Sequence, residues 1–184
     1  MKKNLIYLIF ALLTLASCSQ LNPSEKLMVG KWYSQSQQEE NKNGYSYVEE
    51  GYYTYNDDKT SECHGTIRAT YKINEGLYEI VTYEYKCKGT WAIVDKQLQD
   101  TCTYADVTIK DVDAAGENVN TNKTELNEAL DSEKKRLYYD VAIPWKKEMM
   151  GASAEKIITL NANQLVTIDK DGNKSEYSKI TSED

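Results

Sequence analysis

Four cysteines and one histidine are the residues of this chain best suited to nucleophilic, redox or metal chemistry. A zinc site or a Ser-His-Asp triad would need partners for His64, and the 184-residue chain has no second His and no Cys-x-x-Cys. A catalytic Cys needs a base, but His64 adjoins Cys63, which we expect to be oxidised. The sequence therefore predicts no catalytic residue, no metal site and no cofactor, and indicates that the protein is not an enzyme.

Cys63, Cys87 and Cys102 can form one disulfide and leave one thiol. A hairpin that turns at Asn74-Glu75-Gly76 places Cys63 directly opposite Cys87, with both side chains on the inward face of their strands. A hairpin around Asp95-Lys96 makes Cys87 and Cys102 the alternative pair. We favour Cys63 with Cys87, in a structural role, and then expect Cys102 to be a buried free thiol.

Alternating apolar and polar residues dominate the chain after Met28 and are typical of half-buried strands. Residues with turn propensity separate the alternating stretches. The predicted strands are 29–35, 45–55, 67–73, 81–87, 89–94, 97–109, 156–160, 164–168 and 175–180. Short strands joined by hairpins form a meander, which closes into a barrel or packs as a sandwich. The fold class is therefore all-β and mainly antiparallel.

Residues 124–139 break this pattern and predict one inserted α-helix. Thr124 can act as the N-cap, Glu125 lies in the first turn, and Lys134 to Arg136 lie near the C-terminus. A polar loop over residues 111–123 is expected before this helix. Pro144 follows the helix and is expected to end any helical structure there.

The pattern Gly-x-Trp occurs at Gly30-Lys31-Trp32 and at Gly89-Thr90-Trp91, each time at a predicted strand start. Gly permits a sharp bend or close backbone approach there, and such a Trp can plug one end of a barrel. With the closing hairpin of residues 165–172, these motifs resemble the lipocalin superfamily, and more closely the lipocalin-like lipoproteins of bacteria.

This resemblance covers most of the chain after residue 28 and implies a meander β-barrel of about eight strands. It implies barrel-end positions for Trp32 and Trp91 and a small hydrophobic or amphipathic ligand. The chain departs from the lipocalin pattern in lacking a Thr-Asp-Tyr motif and an Arg after the last strand. The alternative is that both Trp residues belong to the core of an antiparallel sandwich.

The N-terminus has the features of a sorting signal. Lys2 and Lys3 precede an apolar run that is too short to span a bilayer. Leu15-Ala16-Ser17-Cys18 resembles the lipobox of bacterial lipoproteins. That resemblance implies a signal peptide over residues 1–17, lipidation of the Cys18 thiol and anchoring in the bacterial cell envelope. The alternative is an ordinary secretory signal cut near Ala16.

The residue after Cys18 is not Asp, which favours the outer membrane. We expect residues 18–27 to form a tether with a short helical turn, and residues 28–184 to form a single domain. The formal net charge of -7 argues against nucleic acid as a partner, because nucleic acid requires a clustered basic face. The expected partners are a membrane, through the anchor, and a small ligand; the oligomeric state is not predicted.

Tyrosine supplies most of the aromatic side chains, with 15 residues in the chain. Tyr71, Tyr83 and Tyr85 share the predicted inward face with apolar residues and are the candidate ligand-binding residues. Outward rings would instead form a platform for sugars or a protein, as in a surface interaction or glycan-recognition module with a filled barrel. A third interpretation is that Tyr replaces Phe on half-wet strands.

Overall fold

The computed structural model describes residues 21–116 and 123–181. The predicted signal peptide and Cys18 lie outside these residues. Eight antiparallel strands form a closed barrel in which neighbours along the chain pair and β1 also pairs with β8. The strands are β1 (Gly30–Gln38), β2 (Tyr45–Tyr55), β3 (Thr60–Asn74), β4 (Leu77–Val94), β5 (Gln97–Ala115), β6 (Gly151–Leu160), β7 (Gln164–Ile168) and β8 (Lys174–Ile180). The predicted antiparallel barrel is confirmed.

The barrel is uneven because its strands differ greatly in length. β4 has 18 residues and β5 has 19, whereas β7 has five. β5 pairs with β6 only as far as Cys102 and Gly151, so the far half of β5 extends beyond β6. The polar loop predicted from residue 111 is wrong in its first part, because β5 runs through Ala115 and buries Val112.

Helices cover the barrel at two places. Helix α1 (Pro23–Met28) precedes β1 and has a complete capping box between Asn22 and Glu25. Helix α2 (Lys123–Leu137) confirms the inserted helix and continues through a π-helical turn (Tyr138–Ala142) into α3 (Ile143–Met149). No helix in the described residues is long and apolar enough to cross a membrane.

Pro144 does not end the helical segment, so that prediction is wrong. The Ile143 N–H donates to the carbonyl oxygen of Tyr138, a π-type bond that spans five residues. Pro144 lies in the first turn of α3, directly after this π turn. The wider π turn is what joins the two α-helices.

Gly89 lies inside β4 and does not begin a strand, so the two strands predicted over 81–87 and 89–94 are one. The backbone approaches closely here, since a Cβ on Gly89 would lie 2.1 Å from the carbonyl oxygen of Thr101. A register shift in the β4–β5 pairing falls between Lys88 and Gly89. The glycine therefore allows a bulge without ending the strand.

The β3–β4 hairpin places Cys63 opposite Cys87, and the two form a disulfide with Cα atoms 5.0 Å apart. At the turn, Asn74 pairs with Leu77 around Glu75-Gly76, which shifts the register by one residue. A bulge between Lys72 and Asn74 restores it, so the rest of the hairpin has the predicted register.

Two clusters of buried side chains fill most of the interior. The Trp cluster lies beside α1 and consists of Met28, Trp32, Tyr55, Trp91, Leu98, Leu165 and Tyr177. The helix cluster lies beneath α2 and the π turn and consists of Cys63, Ala69, Val81, Tyr83, Tyr85, Val107, Ile109, Val112, Leu137 and Ala142.

Candidate functional site

Trp32 and Trp91 both belong to the Trp cluster and close the same end of the barrel. Trp32 is fully buried, and its Nε1–H donates to the carbonyl oxygen of Met28 at 2.7 Å. Lys179 Nζ lies 5.0 Å from the centroid of the Trp32 ring and donates to the carbonyl oxygen of Leu27 at 2.7 Å. A Lys in β8 thus provides a cation over the first Trp.

Trp91 has a parallel arrangement. Its Nε1–H donates to the carbonyl oxygen of Asn56 at 3.0 Å, and Lys59 Nζ lies 4.7 Å from the ring centroid. Lys59 also forms an ion pair with the buried carboxylate of Glu25 in α1. Helix α1 therefore contacts both arrangements, because Glu25 pairs with Lys59 and the Leu27 carbonyl oxygen accepts from Lys179.

The predicted ligand-binding residues Tyr71, Tyr83 and Tyr85 point inward, but into the helix cluster. Tyr83 and Tyr85 are 3% and 6% exposed, and their ring centroids lie 6.0 and 5.6 Å from that of Trp145 in α3. Tyr71 is half-buried, with its ring centroid 5.1 Å from that of Tyr45. None of the three lines the interior cavity described below.

The hydroxyl groups of Tyr83 and Tyr85 differ in their partners. Tyr85 donates to Glu49 Oε1 at 2.9 Å, and its ring passes over Gly65, where a Cβ would lie 2.5 Å from the hydroxyl oxygen. The Tyr83 hydroxyl is buried and makes no hydrogen bond of good geometry with the described residues, although the Tyr71 phenol is close enough to add to the effect of burial in raising its pKa. Burial raises the pKa of both phenols, so neither ionises near neutral pH.

We expect Tyr83→Phe to raise the free energy of unfolding by up to about 1 kcal/mol, because it removes an unsatisfied buried hydroxyl. Tyr85→Phe is the matched control and should lower it by about 1.5 kcal/mol, because it breaks a hydrogen bond to a carboxylate. Urea denaturation followed by circular dichroism measures both. A loss of stability in Tyr83→Phe equal to that in Tyr85→Phe would contradict this assignment.

A cavity of about 230 Å³ lies between the two clusters. Its walls include three phenol rings, three carboxylates and the Cys63–Cys87 disulfide: Tyr53, Tyr55, Tyr177, Glu62, Asp100, Glu155, Cys63 and Cys87. The Tyr53 and Tyr177 rings meet at 90° with centroids 5.1 Å apart. Met149 and Gly151 also line the cavity, at the junction of α3 and β6.

Asp100 is a carboxylate of this cavity whose pKa is clearly perturbed. Its Oδ2 accepts from the Tyr55 hydroxyl at 3.3 Å and its Oδ1 from the Ser61 hydroxyl at 3.2 Å. Burial and the negative charge of Glu155 outweigh these two hydrogen bonds and raise the pKa of Asp100 to about 6. Glu155 in turn accepts a short hydrogen bond from the Thr167 hydroxyl.

The raised pKa of Asp100 predicts a dependence of stability on pH. The folded state holds this proton more tightly than the unfolded chain, so the contribution of Asp100 to stability falls as pH rises from about 4 to about 6. Asp100→Asn should therefore gain about 2 kcal/mol relative to the parent protein between pH 4 and pH 7. Urea denaturation at both values measures this, and Glu84→Gln on the outer surface should show no such gain.

Cys102 is half-buried, so the prediction of a buried thiol is wrong. Its thiol lies 3.2 Å from the carbonyl oxygen of Tyr104 and lines the interior cavity. Cys102 faces Gly89 across the β4–β5 ladder, whereas Cys87 faces Ala105, so the alternative disulfide does not form. Cys102 remains accessible because β6 begins opposite it and leaves this part of β5 without a strand on that side.

A second concavity, of about 370 Å³, lies on the outer face of β2 to β5. Tyr52 is 39% exposed and stacks on His64, with ring centroids 5.3 Å apart and planes at 13°. Polar side chains surround the two rings: Glu50, Thr66, Glu84, Lys86, Asp106 and Thr108. The tyrosine side chains of β2 therefore lie on both faces of the sheet, with Tyr52 outside and Tyr53 inside.

Sequence reasoning missed the carboxylates of the interior cavity. Asp100 lies on the inward face of β5 together with Leu98 and Cys102. Glu155 shares its face of β6 with Ile157. A carboxylate on an otherwise apolar strand face was the available signal. The pairing of Asp100 with Ser153 brings β5 and β6 together beside Glu155.

Comparisons with protein-family models and with curated proteins find no match for this chain. Among solved structures, the chain is similar to an uncharacterized protein from Bacteroides eggerthii DSM 20697, with 17% sequence identity and a TM-score of 0.35. That match covers 83% of this chain and 98% of the other. Membership of the lipocalin family stays a prediction.

Proposed function

We propose that this protein is a lipid-anchored component of the bacterial cell envelope whose lipocalin-like barrel binds a small ligand in its interior. The observation that carries this proposal is the cavity between the Trp cluster and the helix cluster, lined by phenols, carboxylates and sulfur. A concave site with a few convergent polar groups and a perturbed pKa is a typical binding site. The lipobox-like sequence before Cys18 supports the anchor.

A mass comparison tests the proposed binding. The chain from residue 18, with Cys18→Ser, contains every described residue and is weighed under native and then denaturing conditions. We expect an excess mass that disappears on denaturation, because a retained small molecule leaves when the barrel unfolds. Protein that carries no excess mass from a bacterial host, and binds no compound from a small-molecule library, would contradict the proposal.

A matched pair of variants locates the bound molecule. Ala152 and Ser153 are both exposed, but Ser153 lines the cavity opposite Asp100, whereas the side chain of Ala152 lies on the other face of β6. Ser153→Phe should abolish the excess mass by filling the cavity, and Ala152→Phe should retain it. Retention in both variants would place the ligand elsewhere.

The second candidate function is a surface recognition module for a glycan or a protein. The outer-face concavity favours it, because Tyr52 and His64 offer exposed rings among polar side chains. Tyr33 extends the row, with its ring centroid 5.2 Å from that of Tyr52. Binding to an immobilised glycan library that is lost in Tyr52→Ala but kept in Ser153→Phe would support this candidate over the first.

A further inference from the structure

We propose that the interior cavity selects a small organic cation, such as a quaternary or protonated amine. This inference rests on the proposed function, because it names the chemical class of the ligand in that same cavity. Three features of the lining carry it: paired carboxylates, perpendicular phenol rings and the absence of an unpaired basic group among the described lining residues.

The carboxylates come from neighbouring strands and converge on one space. Asp100 on β5 and Glu155 on β6 both line the cavity, and Glu155 is near enough to perturb the titration of Asp100. The protein groups that contact them are hydroxyls, those of Tyr55, Ser61 and Thr167, which donate hydrogen bonds but bring no positive charge. A cation between the carboxylates would relieve their mutual repulsion.

Basic side chains among the described lining residues do not already neutralise Asp100 and Glu155. Of the described residues that line the cavity, Lys88 is the one that is basic, and its ammonium pairs with Glu62 at 2.8 Å on the exposed side. The charge of Lys88 is thus balanced outside, whereas Asp100 and Glu155 remain unbalanced inside. An anionic ligand would meet repulsion from both carboxylates, so the cavity disfavours it.

The aromatic walls favour an organic cation over a metal ion or a neutral molecule. The Tyr53 and Tyr177 rings stand at 90° and form a corner, and Tyr55 adds a third ring to the lining. Aromatic rings attract an ammonium group by cation–π interaction, and cages of such rings recognise quaternary ammonium groups. A neutral ligand would have to cover the carboxylates and replace their water without any charge to offset the loss.

Three probes of the same shape test the charge requirement: choline, its neutral carbon analogue 3,3-dimethyl-1-butanol, and the anion 3,3-dimethylbutanoate. Isothermal titration of the Cys18→Ser chain from residue 18 at pH 7.5 measures each Kd. We expect choline to bind about tenfold or more tightly than the alcohol, and the anion to bind most weakly. Equal binding of choline and the alcohol, or no binding of choline at millimolar concentrations, would overturn the inference.

Asp100→Asn removes one charge with little change of shape, and Asp171→Asn in the exposed β7–β8 turn is the control. Asp100→Asn should weaken choline about tenfold and change the Kd of the alcohol less than twofold. Asp171→Asn should leave both unchanged, because Asp171 pairs with Lys170 at 2.7 Å on the exposed surface and does not line the cavity. If Asp100→Asn weakens both probes equally, the carboxylate supports the structure only, and the inference fails.

The mass comparison above separates failure of the inference from failure of the proposed function. A retained molecule that is neutral or anionic, and is lost in Ser153→Phe, would support binding in the barrel and overturn the choice of a cation. A retained amine lost in the same variant would support both.

Discussion

Replacing Trp32 with Ala is expected to lower the free energy of unfolding by about 4–5 kcal/mol, the largest effect of any single change considered. Trp32 is fully buried at the centre of the Trp cluster, so the truncation leaves a large cavity. It also removes the hydrogen bond to the Met28 carbonyl oxygen and the ring beneath Lys179. Urea denaturation followed by far-ultraviolet circular dichroism measures the loss.

Trp32→Phe is the control for this prediction. It keeps an aromatic ring but loses the indole N–H, and should cost about 1–2 kcal/mol from the lost hydrogen bond and the smaller side chain. The two variants should therefore differ by several kcal/mol. If Trp32→Ala costs no more than Trp32→Phe, the buried aromatic ring at position 32 does not stabilise the Trp cluster.

Removing the Cys63–Cys87 disulfide by the double change to Ala should cost about 3 kcal/mol, because the bond closes a loop with a sequence separation of 24. The crosslink joins β3 to β4 beside the interior cavity. Reduction of the parent protein should lower the urea midpoint by a similar amount. Denaturation with and without a reducing agent measures both effects.

Cys102→Ala is the matched control for the disulfide prediction. The Cys102 thiol is free and half-buried, so we expect its loss to change stability by less than about 1 kcal/mol. The urea midpoint of Cys102→Ala should still fall in the reducing agent, whereas that of the variant with both Cys63 and Cys87 replaced by Ala should not. Equal sensitivity in all three proteins would mean that the disulfide contributes nothing to folding stability.

The sequence by itself determined where most of the strands lie, their antiparallel order and the favoured disulfide pair. Alternation of apolar and polar residues defines strands of period two, and turn residues mark where they reverse, so residues 45–55 and 164–168 were predicted to the residue. The register of the β3–β4 hairpin is also local, because it depends mainly on its turn. The resemblance carried by Gly30-Lys31-Trp32 added the expectation of a closed barrel.

Local signals were misleading where tertiary contacts compensate for them. Pro144 continues a helical segment because the π turn before it widens the backbone. Gly89 lies within a strand because the neighbouring strand adapts through a bulge. In both cases the backbone next to the residue adjusts, so the helical segment or the strand continues.

Only the tertiary structure decided which of the inward side chains line the interior cavity. Tyr83 and Tyr53 both lie on inward faces, yet Tyr83 packs beneath α3 and Tyr53 lines the cavity. That difference depends on where the inserted helical segment covers the barrel and where β6 begins, which period-two alternation does not encode. The meeting of Asp100 with Glu155 likewise arises from pairing between strands that are far apart along the chain. Strand alternation is a local property of the backbone, whereas a cavity forms from side chains that many strands bring together.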